Sequence, residues 1–103
     1  MRLVVMFDIP NSSPSLRRQY GTFRKHLIAE GFSMEQFSVY SRPVATREAC
    51  SALIVRMRPH LPEAGRVTVL ELTEKQYARR HQLVGRPATV ATEGRLAQLT
   101  LLL

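Results

Sequence analysis

The sequence contains very little cysteine and aspartate, and it has no tryptophan. Its single cysteine, Cys50, excludes a disulfide within the chain and a cysteine-based metal cluster. This composition suits a reducing, cytoplasmic setting. The apolar run at the N-terminus is interrupted by Asp8 and Pro10 before it reaches the length of a signal peptide or a membrane span, so we expect neither secretion nor membrane insertion.

The length and composition indicate one small globular domain. The chain has 103 residues, of which 45% are hydrophobic and 22% charged. These fractions are close to globular averages and exclude a disordered tail or a collagen-like repeat. A domain of this size buries only roughly 60–70% of its extended surface, so burial against a second subunit would add stability.

Positive charge predominates in this chain. Fifteen basic residues against eight acidic ones give a net charge of +7, and thirteen of the basic residues are arginine. Arginine binds phosphate oxygens bidentately, so a polyanionic partner with a phosphodiester backbone is the leading hypothesis. The alternative is that these arginines form an ordinary solvated surface.

The hydrophobic pattern predicts an alternation of strands and helices. We predict strands over residues 3–9, 32–42, 66–73 and 82–84, and helices over residues 14–30, 46–58 and 73–80. Two helices on one face of a sheet give an α+β ferredoxin-like sandwich whose opposite face lies open. Residues 1–84 would form this core and residues 85–103 a C-terminal segment.

Asp8 is the only aspartate and ends the first predicted strand. A carboxylate at a strand end can reach solvent, a partner or a metal ion; the alternative is that it caps the turn at residues 11–13. One carboxylate is too little for two-metal hydrolysis, but Mg²⁺ often uses only one or two carboxylates with waters and a substrate phosphate. Two copies of Asp8 across a dimer axis would supply such a pair.

Six cations are predicted to contact phosphate groups. Four of them share one flank of the first helix, and two follow the last short helix: Arg17, Arg18, Arg24 and Lys25, then Arg79 and Arg80. Together they would grip a nucleic-acid backbone without reading its sequence.

The histidines and large apolar residues are given no catalytic role by the sequence. His26, His60 and His81 fall in different predicted elements without the spacing of metal ligands, so a zinc site is not expected. Four apolar side chains are predicted to lie in the core or at an interface: Phe23, Phe32, Phe37 and Met57.

Four segments carry a resemblance to a known family. They are VMFDIP at residues 5–10, FRKHLIAEGF at 23–32, MEQFSVYSR at 34–42 and LTEKQYAR at 72–79. Together they resemble the CRISPR-associated protein Cas2 family over almost the whole chain. Residues 31–36 and 72–76 are most similar to members from type II systems.

The resemblance implies a β-α-β-β-α-β ferredoxin-like homodimer in which the C-terminal strand joins the partner's sheet. It also implies a role in CRISPR adaptation, in which the dimer binds the double-stranded DNA of a new spacer while the Cas1 integrase performs strand transfer. The alternative that it implies is a nuclease dependent on Mg²⁺ or Mn²⁺, acting on single-stranded RNA or double-stranded DNA. In that case Asp8 of both subunits would be the catalytic metal ligand. A third reading is a toxin-type messenger ribonuclease of similar fold.

Overall fold

The computed structural model describes residues 1–85. Its elements are β1 (Arg2–Asp8), α1 (Pro14–Ala29), β2 (Ser33–Gln36), β3 (Val39–Pro43), α2 (Arg47–Met57), a 3₁₀ turn (Arg58–His60), β4 (Arg66–Leu72) and α3 (Glu74–Ala78). The four strands form one antiparallel sheet in the order β2-β3-β1-β4. This arrangement confirms the predicted α+β ferredoxin-like class. None of these helices has the length and hydrophobicity needed to cross a membrane.

Strand β1 lies at the centre of the sheet because it is apolar on both faces. It pairs with β3 on one side and with β4 on the other, with Val5 opposite both Tyr40 and Val69. Leu3 and Val5 are completely buried and Val4 nearly so. A strand with this burial is stable only between two neighbours. At its end Asp8 pairs with Arg66 of β4, and the preceding Phe7 amide bonds to the Ser38 carbonyl on the hairpin side.

The core lies between the sheet and helices α1 and α2. Leu3, Val5 and Phe7 of β1 face this layer, where they meet buried side chains of both helices. The contacts include an edge-to-face pair of Phe7 with Phe23, whose ring centroids are 5.1 Å apart. Burying one such side chain stabilises the fold by roughly 1.5–3 kcal/mol, so this layer supplies most of the favourable burial.

Each of the three α-helices begins with a side chain that caps it. The Ser13 hydroxyl accepts from the Leu16 amide at 3.1 Å, and the Thr46 hydroxyl caps α2 in the same way. Thr73 and Gln76 form a capping box at the start of α3, in which each side chain bonds to the other residue's backbone amide. Because these bonds satisfy amides that have no partner within the helix, the starting points of helices are readable from local sequence.

Two predicted elements need correction. Residues 32–42 form a tight hairpin, β2 and β3, because the chain turns at Phe37 and at Ser38, whose φ is +63°. A positive φ at a serine is not signalled by residue type, so the turn was missed. Residues 82–84 form no strand, and α3 ends at Ala78. The proposed exchanged strand in residues 85–103 lies almost wholly outside the described residues.

The sheet face opposite the core is partly covered by α3. Tyr77 is buried over this face, where its hydroxyl donates to the Glu35 carboxylate at 2.6 Å. The guanidinium groups of Arg2 and Arg80 lie over the two sides of its ring, 4.0 Å and 3.8 Å from the centroid. Burial and the Glu35 carboxylate raise the pKa of Tyr77. The open face expected from the sequence is therefore only the part beyond α3.

Two histidines that the sequence places in separate elements are stacked in the fold. The rings of His26 on α1 and His60 in the 3₁₀ turn have centroids 4.1 Å apart and are inclined by 15°. Within residues 1–85 the buried Nε2 of His26 has no hydrogen-bond partner. Burial and then the positive charge of His60 lower the pKa of His26 below 6.5, against an opposing effect of Glu30.

The histidine pair predicts that the protein loses stability in mild acid. Since the pKa of His26 is lower in the folded state, the unfolded state takes up the proton first, and stability falls as pH decreases through about 6.5. Urea unfolding between pH 7.5 and 5.5 measures this loss. The double variant His26→Gln, His60→Gln should flatten the pH profile, whereas His81→Gln, which alters an exposed side chain, should retain it. An unchanged profile in the double variant would contradict this assignment.

Candidate functional site

Asp8 is exposed at the carboxyl end of β1, beside the β2–β3 hairpin. In the sheet register it stands opposite Arg66, the first residue of β4. The Phe7 amide, next to it, donates to the Ser38 carbonyl at 3.0 Å and ties the hairpin turn to this strand end. A shallow cleft is lined by Asp8, Arg66, Phe37 and Ser38 together with side chains of the open sheet face. The fold therefore joins one carboxylate, one guanidinium and one aromatic ring.

The backbone at Asp8 is held in place by a close approach of Gly65. A Cβ on Gly65 would stand 2.0 Å from the Asp8 carbonyl oxygen and 3.0 Å from the Ile9 Cα, and Gly65 has φ of +91°. Both the contact and the dihedral angle require glycine. Gly65 is thus a positioning residue for the strand end.

The Asp8 carboxylate is uncommitted within residues 1–85, where it forms neither a hydrogen bond nor an ion pair. The two ion pairs of that part of the chain join Arg2 to Glu74 and Arg56 to Glu30. In the same range no three His, Cys, Asp or Glu side chains are grouped as metal ligands. The described part of one chain therefore offers a single carboxylate group at this strand end. A hard divalent cation would need further oxygen ligands from a second subunit, water or a bound phosphate.

The four cations of α1 are all exposed, and the fold divides them into two pairs. Arg17 donates to the Asn11 carbonyl at 3.0 Å, and Arg24 donates to the Tyr40 hydroxyl at 2.7 Å. The Arg24 bond ties α1 to β3 of the hairpin, whereas the Arg17 bond reaches back to the loop between β1 and α1. Arg18 and Lys25 have no hydrogen-bond partner among the described residues.

The fold does not bring Arg79 and Arg80 to the cations of α1. They follow α3, which lies on the opposite face of the sheet. Both are exposed, and Arg80 also stacks on Tyr77 and donates to the Tyr77 carbonyl at 3.1 Å. The six predicted phosphate contacts therefore lie on two separate surfaces of one chain.

Three residues of this site were not assigned to it from the sequence: Gly65, Arg66 and Phe37. Gly65 before a strand is a recognisable signal for a special turn, but its contact with Asp8 depends on the pairing of β1 with β4. Phe37 was predicted, with Phe23, Phe32 and Met57, to lie in the core or at an interface. The other three are buried in the core, whereas Phe37 is 79% exposed because the turn at Ser38 directs it away from the core.

Comparison with known proteins agrees with this architecture. Residues 1–80 match the family model described as CRISPR associated protein Cas2. A "CRISPR-associated endoribonuclease Cas2" of Streptococcus mutans is 45% identical over 85 residues, covering 82% of this chain and 78% of that protein. A protein of the same name from Acidovorax ebreus is 41% identical over 101 residues, covering 98% and 99% of the two chains.

The fold is also found in a solved structure, "Crystal structure of Streptococcus pyogenes Cas2 at pH 6.5". The TM-score is 0.64 at 19% identity, with 82% of this chain and 100% of that chain covered. The fold and the site together define a small, basic ferredoxin-like protein with an exposed carboxylate at the end of its central strand. The chain belongs to the CRISPR associated protein Cas2 family.

The contact between Gly65 and Asp8 predicts a site-specific effect of a small substitution. Gly65→Ala should lower the free energy of unfolding by more than about 1 kcal/mol, because alanine disfavours positive φ and its Cβ would displace the Asp8 carbonyl. Urea denaturation measures the loss. Gly21→Ala is the matched control: nothing lies within 4 Å of its Cβ position inside α1. It should stabilise by about 0.5–1 kcal/mol. Equal effects of the two substitutions would refute the role of Gly65.

Proposed function

We propose that this chain is a CRISPR adaptation protein that acts as a homodimer, binds double-stranded DNA and serves as the scaffold of a spacer-acquisition complex with the Cas1 integrase. The observation that carries the proposal is the surface of α1, where four exposed cations have no carboxylate partner among the described residues. The family membership supports the CRISPR context. The expectation of a type II system belongs to the same proposal.

The geometry of α1 suits binding to a phosphate backbone. Arg17 and Arg24 are held by single hydrogen bonds, which orient each guanidinium and leave its remaining donors available. Arg18 and Lys25 extend the same surface. Backbone phosphates recognise charge and donor position rather than base identity, so binding would show little sequence preference.

The open part of the sheet supports a second subunit. Beyond α3 this face exposes apolar side chains, including Leu70, which is 41% exposed, and the half-buried Met6 and Val39. A partner chain would remove this apolar surface from water, which is favourable by roughly 25 cal/mol per Å². A dimer would also double the cationic surface presented to DNA.

Removing two cations from α1 should weaken DNA binding and its dependence on salt. Each phosphate contact contributes about −0.9 to the slope of log affinity against log salt, so Arg17→Ala with Arg18→Ala should reduce the slope by up to about 1.8. Fluorescence anisotropy with a duplex over a series of salt concentrations gives both quantities. Arg47→Ala with Arg58→Ala removes the same charge from the α2 region and should change the slope less. An unchanged slope in the Arg17, Arg18 variant would exclude α1 from the interface.

A second candidate function is metal-dependent cleavage of nucleic acid, favoured by the uncommitted Asp8 carboxylate and by the name endoribonuclease carried by the relatives. Asp8 from two subunits would supply two carboxylates, a number that Mg²⁺ or Mn²⁺ accepts together with waters and substrate phosphate. When bound, such an ion would acidify a water and neutralise charge on the phosphate. Asp8 would hold the ion, and Arg66 opposite it would neutralise a neighbouring phosphate.

Asp8→Asn distinguishes the two functions. The amide keeps the shape of the side chain and removes its charge, so metal-dependent cleavage of single-stranded RNA or duplex DNA should disappear while the fold is kept. Glu71→Gln, a change at an exposed carboxylate on β4, is the matched control. The readouts are cleavage with Mg²⁺ or Mn²⁺ and spacer integration with the cognate Cas1. If Asp8→Asn still supports spacer integration and neither it nor the wild type cleaves nucleic acid, the protein is a scaffold. If the wild type cleaves and Asp8→Asn does not, it is a nuclease.

A further inference from the structure

Phe37 is a large apolar side chain that lies almost entirely outside the core of this chain. It lies in the turn between β2 and β3, and 79% of its surface is accessible to solvent. Serine, asparagine or glycine would suit such a turn at less cost in exposed apolar area. An exposed aromatic ring of this kind is typical of a recognition surface.

The ring is held rigidly although it is exposed. Phe37 stacks on Tyr20 of α1, with the ring centroids 5.7 Å apart and the planes inclined by 20°. The hydroxyls of Tyr20 and Ser38 are 3.0 Å apart, and the Ser38 carbonyl accepts from the Phe7 amide at 3.0 Å. The turn is therefore fixed from α1 and from β1, so a ligand would bind the ring without ordering it first.

The ring has charged groups on two sides. Phe37 lines the same cleft as Asp8 and Arg66, which continues onto Met6 and Val39 of the open sheet face. Arg17 and Arg24 lie three residues before and four residues after Tyr20, so they flank the aromatic pair along one side of α1. Cores of protein–protein interfaces are depleted of charge, whereas aromatic rings among cations are typical of surfaces that bind single-stranded nucleic acid.

We propose that Phe37 is a stacking platform for an unpaired nucleobase, so that nucleic acid bound at this end of the sheet has a single-stranded residue beside Asp8. A base inside a duplex is stacked on its neighbours and offers no free face, whereas an unpaired base does. The cations of α1 would hold the adjoining phosphates. This inference rests on the proposed function, since it takes nucleic acid to be the ligand.

The test compares four labelled probes: a blunt duplex, the same duplex with a single-stranded extension, and the extension strand alone as DNA and as RNA. Phe37→Ala should weaken binding of the extended duplex and at least one single strand by roughly 5- to 100-fold, with the blunt duplex unaffected. The two single strands show which sugar is accepted. Phe37→Trp should restore binding because it keeps an aromatic face. Val55→Ala, which truncates another exposed apolar side chain on α2, should bind all probes as wild type does.

Other outcomes overturn the proposal. Equal weakening of the blunt and extended duplexes by Phe37→Ala, or no weakening of any probe, would show that Phe37 does not stack on a base. A change in the oligomeric state of Phe37→Ala by light scattering would make the ring a subunit contact instead. If the wild type bound none of the probes, the proposed function would fail as well. If it bound the blunt duplex and Phe37→Ala had no effect, only the stacking platform would fail.

Discussion

The pairing of β1 with a strand on each side is the constraint on which the rest of this structure depends. The side chains of β1 on the core face are buried, and Val4 on the opposite face is nearly buried. The strand hydrogen-bonds to β3 and to β4. Asp8 therefore combines an exposed carboxylate with a backbone held by its pairing with β4 and by the close approach of Gly65.

The two faces of the sheet are used differently. Helices α1 and α2 pack against one face and bury it in the core, and the outer surface of α1 carries four cations. On the other face α3 covers one part through Tyr77, which is enclosed by Arg2, Arg80 and Glu35. The rest of that face presents Leu70 and the half-buried Met6 and Val39, with Thr68 beside them. The cations of α1 and this part of the sheet face therefore lie on different surfaces of the chain.

The elements of the fold could be read from the sequence wherever a local signal was strong. Ser13, Thr46 and Thr73 cap helices through bonds that span only three residues, so their effect does not depend on the rest of the fold. The hairpin of β2 and β3 could not be read, because its turn uses Ser38 in a left-handed conformation that other contacts stabilise. Residues 82–84 form no strand for a similar reason: a short apolar run becomes a strand only where a partner strand is available, and residue type does not show this.

The sequence by itself determined the chemistry of this protein: one aspartate at the end of an apolar strand, a strong excess of arginine and the starting points of its helices. Only the tertiary structure decided which of these groups act together. It set Arg66, Gly65 and Phe37 around Asp8, stacked His26 on His60 and separated Arg79 and Arg80 from the cations of α1. The physical reason is that residue type and spacing encode local bonds and faces, whereas proximity between distant residues follows from strand register and from packing across the sheet.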